Sequence, residues 1–95
     1  MRDYELVFIA KPSLSDEEVE ALTQRVSQLI ANNGGEVAEV KPWGRKRLAY
    51  AIGDAREGHY VEVRFKMSPA ATAELERGLK LTEDIIRYLF TKVGE

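Results

Sequence analysis

Cysteine is absent from this chain, which removes a disulfide framework, a thiolate metal site and a thiol nucleophile together. A chain without thiols fits a reducing compartment. Long apolar runs are missing too, so no segment reaches the length a membrane span needs. The start, Met1-Arg2-Asp3-Tyr4, alternates at once into a strand and lacks the apolar centre of a secretion signal. A soluble, cytoplasmic protein with no membrane partner is expected. With three prolines in 95 residues and no low-complexity stretch, nothing resembles a linker. One domain spanning 1–95, built around one core, is the natural size for such a chain.

Catalytic groups are equally scarce. The single histidine, His59, opens a strand beside Gly58 and reads as a strand-end residue. Ser13, Ser15, Ser27 and Ser68 fall at caps and turns, and none has an evident base partner of the kind a nucleophile requires. Asp16, Glu17, Glu18 and Glu20 crowd a helix start, where the helix dipole favours acids without any metal. No catalytic residue, metal ligand set or cofactor is expected.

Charge is plentiful but unevenly spread. The formal net charge is −2, from 14 bases and 16 acids. Between residues 15 and 40 stand Asp16, Glu17, Glu18, Glu20, Glu36 and Glu39 against Arg25 alone. Between residues 41 and 66 stand Lys41, Arg45, Lys46, Arg47, Arg56, Arg64 and Lys66 against Asp54, Glu57 and Glu62. A segregated basic surface can meet phosphate while the acidic remainder limits non-specific contact.

Periodicity gives the elements. Tyr4, Leu6 and Phe8 alternate through a first strand that Lys11-Pro12-Ser13 ends. Ser15 stands three residues before Glu18, the capping-box spacing. Val19, Leu22, Val26, Leu29 and Ile30 then mark one helical face, closed by Asn33-Gly34-Gly35. Residues 36–40 and 45–52 form two parts of a second strand broken at Pro42-Trp43-Gly44, which predicts a bulge or an edge position. Residues 53–58 read as a turn, and 59–67 as a third strand. Ser68-Pro69 opens a second helix bearing Ala71, Leu75 and Leu79, and residues 84–92 form a last strand.

The order β-α-β-β-α-β with right-handed crossovers predicts an α+β, ferredoxin-like sandwich, a four-stranded antiparallel sheet with two helices on one face. The rows Tyr4/Leu6/Phe8, Leu48/Tyr50/Ile52, Val61/Val63/Phe65 and Ile86/Tyr88/Phe90 should pack on the helices. The opposite face should carry Asp3, Glu5, Arg47, Glu62, Arg64 and Arg87 around an apolar strip of Val7, Ile9 and Leu89, which reads as a protein-contact patch. Exposed aromatics for base stacking across that face are too few for an RNA-recognition motif.

The stretch Trp43-Gly44-Arg45-Lys46-Arg47-Leu48-Ala49-Tyr50-Ala51-Ile52 fixes three cations to a strand, where they keep a set geometry toward a phosphate backbone. First and last strands are neighbours in this topology, so Arg2 and Lys92 are expected to extend the same basic surface. Two other readings share the strand order. One is a regulatory or ligand-sensing module that dimerises through its sheet face. The other, an acylphosphatase-type enzyme, needs an arginine-bearing loop after the first strand; this chain has Lys11-Pro12 there.

Together with Met1-Arg2-x-Tyr4-Glu5 and Gly58-His59-Tyr60, that stretch resembles the bacterial small (30S) subunit ribosomal protein S-six family, across essentially the whole chain. The resemblance implies a non-enzymatic ribosomal protein that binds the central domain of 16S ribosomal RNA together with ribosomal protein S-eighteen, among other small-subunit components. It implies a place on the cytoplasmic ribosome, with an organellar ribosome as the alternative. Carried over by position, Arg2, Tyr4, Arg45, Lys46, Arg47 and Tyr50 form the expected RNA surface. Ala51 departs from the pattern, since many members have proline after the Leu-Ala-Tyr triplet.

Overall fold

A computed structural model describes residues 1–93, and the last two residues of the expected domain lie outside the described residues. The elements follow from the local signals. β1 (Arg2–Ala10) buries Tyr4, Leu6 and Phe8 on one face by strict alternation. α1 (Asp16–Asn32) starts at a complete capping box. The Glu18 backbone N–H donates to the Ser15 hydroxyl at 3.1 Å, and the Ser15 backbone N–H donates to the Glu18 carboxylate at 2.8 Å. β2 (Glu36–Ile52) and β3 (Ala55–Met67) form a long hairpin. A 3₁₀ turn (Pro69–Ala71) with proline in its first turn leads into α2 (Thr72–Lys80), and β4 (Ile85–Lys92) closes the sheet.

The strand order is β2-β3-β1-β4, every pair antiparallel. With two helices against one face, this is the ferredoxin-like α+β arrangement expected from the element order. Leu22, Val26 and Ile30 of α1 and Leu75 and Leu79 of α2 close over Tyr4, Leu6, Phe8, Val61, Val63, Phe65 and Met67. Each large apolar side chain buried this way stabilises the fold by about 1.5–3 kcal/mol. Tyr4 stacks on Phe65 at 5.8 Å between ring centroids and tilts against Phe90 at 5.1 Å.

Four expectations need correction, three of them because a strand's register shifts. β2 is continuous but its register against β3 slips between Pro42 and Gly44, leaving Trp43 as an extra residue beside a glycine at φ +86°. One inserted residue reverses the faces of the side chains that follow it, here Gly44 to Arg47, and a further register shift between Arg47 and Ile52 resets the end of the strand. Leu48, Tyr50 and Ile52 do not pack under the helices. They turn to the open sheet face, and Tyr50 is 81% exposed. By the same reversal Arg47, opposite Glu57, belongs to the helix side and not to the open face. In β4 a second register shift makes Ile86 the extra residue, so Ile85, opposite Ala10, packs on the core in its place. The hairpin turn is also tighter than the expected 53–58. Only Gly53-Asp54 connects the strands, with Gly53 at φ +59° in the glycine-first pattern of two-residue hairpins.

Candidate nucleic-acid and protein interface

The bulge at Trp43 distributes the cationic stretch over two faces. Arg45 pairs with His59 across the ladder and lies on the helix side. Its guanidinium donates to the Pro12 carbonyl at 2.9 Å and lies 3.5 Å from the Glu57 carboxylate. Beside it His59, only 5% exposed, holds the Leu14 carbonyl through Nε2 at 2.9 Å, so this nitrogen carries the proton. His59 is thus a buried polar tie rather than a surface strand end. Arg45 and His59 together pin the segment between β1 and α1 onto the β2–β3 hairpin.

Lys46 falls on the opposite face. There Trp43 stacks almost parallel on Tyr60, 5.9 Å between centroids and 6° between planes, and the Lys46 ammonium sits 5.0 Å from the indole ring centroid. The indole N–H donates to Glu62 at 3.1 Å, and Arg64 bridges Glu62 and Glu5, at 3.3 Å each. Hydrogen bonding to Glu5, joined by Trp43 and Arg64, holds the Glu62 carboxyl below the usual carboxylate range against the upward pull of desolvation. Hydrogen bonding and charge attraction to Glu5, followed by Glu62, raise the Arg64 guanidinium above its ordinary value. This network makes the centre of the open face nearly self-neutralised.

Arg47 and Arg56 are exposed toward the end of the hairpin, near the exposed Tyr50, and neither has an ion-pair partner among the described residues. Arg2 and Lys92 are exposed and close together, since Lys92 pairs with Tyr4 two residues from Arg2. They do not extend the hairpin's basic surface. Arg45 lies level with Ala10 through their common partner His59, whereas Arg2 is at the other end of β1. At roughly 3.3 Å per residue the two groups stand about 26 Å apart along the strands. Tyr4, expected on the RNA surface, is a core residue at 7% exposure.

The expected protein-contact strip is deeper than its sequence pattern implies. Leu89 is 63% exposed, Val7 half-buried and Ile9 only 9% exposed. Leu48, Tyr50 and Ile52 rise beside Val7, Ile9 and Leu89, and with Trp43 they line a cradle of about 480 Å³. The strip and the displaced β2 row thus make one apolar concavity on the open face. Tyr60 and the Leu48/Ile52 wall line this concavity, and alternation alone does not place Leu48 and Ile52 there. Gly44 directly after Trp43 is the signal that a bulge would redirect them.

The chain is similar throughout to proteins of one kind. A family model described as Ribosomal protein S6 matches residues 3–92. The small ribosomal subunit protein bS6 of Moorella thermoacetica is 48% identical over all of this chain and 97% of its own length. That of Desulforamulus reducens is 42% identical over the full length of both. The crystal structure of 30S ribosomal protein S6 from Thermotoga maritima superposes with a TM-score of 0.90 at 33% identity, covering 96% of this chain and 86% of that one. The C-terminal domain of MgtC from Mycobacterium tuberculosis shares the fold alone, with a TM-score of 0.65 at 12% identity. Fold by itself does not select a function here; the full-length sequence similarity does. The chain belongs to the ribosomal protein S6 family, structural and non-enzymatic components of the small ribosomal subunit.

Proposed function

We propose that this protein binds the central domain of 16S ribosomal RNA together with ribosomal protein S-eighteen, in the cytoplasm, through two surfaces that meet at Tyr50. The observation that carries the RNA part is the hairpin arm. Lys46, Arg47 and Arg56 are exposed along the β2–β3 hairpin, Lys46 on the open face and Arg47 on the helix side, and Tyr50 is 81% exposed toward the same end of it. Cations held this way neutralise phosphates with little base-specific readout, and an exposed ring offers a stacking surface to an unpaired base. Arg2 and Lys92 form a second, separate phosphate contact at the far end of the sheet. Arg45 belongs to this surface mainly as its support, because its guanidinium is engaged with Pro12 and Glu57.

The protein partner takes the cradle of Val7, Ile9 and Leu89, walled by Leu48, Tyr50 and Ile52. A concave site whose lining is mostly apolar, with Glu5 and Arg87 its two charged members, suits an apolar anchor from another protein better than a polynucleotide. The acidic balance of the chain then limits RNA contact to the arm and the Arg2/Lys92 end. Binding of a central-domain RNA fragment by the two proteins, followed across salt concentration, tests the reading. In Lys46→Ala/Arg47→Ala the slope of log K against log salt should fall by about 1.4–1.8, at about 0.7–0.9 for each phosphate no longer neutralised. An unchanged slope would refute the assignment.

A further inference from the structure

The helix side of β2 carries an apolar groove that neither the RNA arm nor the open-face cradle uses. Val37 and Val40 share a face with Phe65 and Val63, their ladder partners, yet both remain more than a third exposed on β2, the edge strand. Between that edge and α1 runs a groove of about 570 Å³, with Val19, Val40, Pro42 and Val61 along its apolar lining. Its helix rim carries Asp16, Glu17 and Glu20, and none of the three is ion-paired among the described residues.

We infer that this groove docks a cationic, apolar-anchored segment of another protein of the small subunit, independently of the RNA contacts. Charge decides the class of occupant. A row of unpaired carboxylates along one wall repels a phosphate backbone and attracts lysine or arginine flanking an apolar side chain. The edge itself argues against long strand pairing between two copies. Register shifts at Ala38 and Trp43, together with Pro42, which has no N–H to give, interrupt the outer backbone edge of β2 every few residues. A short segment that places one or two apolar side chains against Val40 and Val19 avoids those interruptions. The acids in the first turns of α1 therefore have two roles, favouring the helix N-terminus and setting the sign of the partner.

Photo-crosslinking in assembled small subunits tests this. A benzophenone-bearing phenylalanine in place of Gln24, which lines the groove, should crosslink to a peptide of another ribosomal protein rich in lysine or arginine. Adding Glu17→Lys and Glu20→Lys should cut the yield at least fivefold, with helix content unchanged by circular dichroism. Crosslinks to ribosomal RNA, to a second copy of this chain, or to nothing would each overturn the inference. So would a yield indifferent to the charge reversal. Salt-dependent RNA binding by the same variants should match the parent, which separates this site from the hairpin arm.

Discussion

Arg45 separates support from contact within the cationic stretch, and its removal has a calculable cost. Its guanidinium makes a 2.9 Å bond to the Pro12 carbonyl and faces Glu57 at 3.5 Å, with just under half the side chain exposed. A hydrogen bond from a charged donor is worth about 1.5–3 kcal/mol when well shielded. Exposure reduces that, and the ion pair with Glu57 adds roughly 0–1 kcal/mol. Arg45→Ala should therefore lose about 1–2 kcal/mol, measured as a lower urea midpoint at unchanged m-value. At roughly 4–8 °C per kcal/mol for a domain of this size, the melting temperature falls by about 5–15 °C. Lys46→Ala/Arg47→Ala should lose less than about 1 kcal/mol, since only the cation–π interaction at an exposed site is removed. RNA binding should reverse the ranking: Arg45→Ala keeps most of the salt dependence, while the double variant lowers the slope by about 1.4–1.8. If Arg45→Ala is as stable as the parent and cuts the salt slope as deeply as the double variant, the division of roles is wrong.

Two further outcomes follow from local geometry. A Cβ at Gly58 would lie 2.5 Å from Ile9 Cγ2 and 2.9 Å from the Ala10 carbonyl oxygen. Gly58→Ala should thus destabilise by about 1–3 kcal/mol through overpacking, despite the gain of about 0.4–1 kcal/mol that losing a glycine gives through the unfolded chain. A Gly58→Ala variant more stable than the parent in urea would show that the approach of β3 to β1 is looser than described. The Glu62 carboxyl is more acidic folded than unfolded, so its contribution to stability is present above 4.5 and is lost as pH falls through the lower folded value. Comparing urea midpoints at pH 6 and pH 3, the parent should lose more stability than Glu62→Gln; equal losses would remove Glu62 from the acid response.

Most of the fold is legible in the sequence because β1, α1 and β3 keep one period from end to end. Tyr4, Leu6 and Phe8, the capped helix with Leu22, Val26 and Ile30, and Val61, Val63 and Phe65 all bury the faces their spacing dictates. β2 and β4 depart from their pattern where a residue is inserted, because alternation carries no record of a bulge. After Trp43 the apolar row and the cations exchange faces: Leu48, Tyr50 and Ile52 leave the core, Arg45 turns toward Pro12, and Lys46 lands over the Trp43 ring. The run Arg45-Lys46-Arg47 therefore reads as one contact surface and is not: Arg45 is a structural tie and Arg47 an exposed cation on the helix side, while Lys46 lies over the Trp43 ring on the open face. The same inserted residue builds the wall of the open-face cradle, which no strand of uninterrupted alternation would have raised beside Val7, Ile9 and Leu89. Deleting Trp43 should accordingly do more than remove an aromatic stack. It should restore the original phase, drive Leu48 and Ile52 toward the helices and set Arg45 free of Pro12. Loss of partner binding would then be accompanied by a marked loss of stability, whereas Trp43→Ala, which keeps the bulge, should retain the Arg45–Pro12 bond and most of the cradle wall.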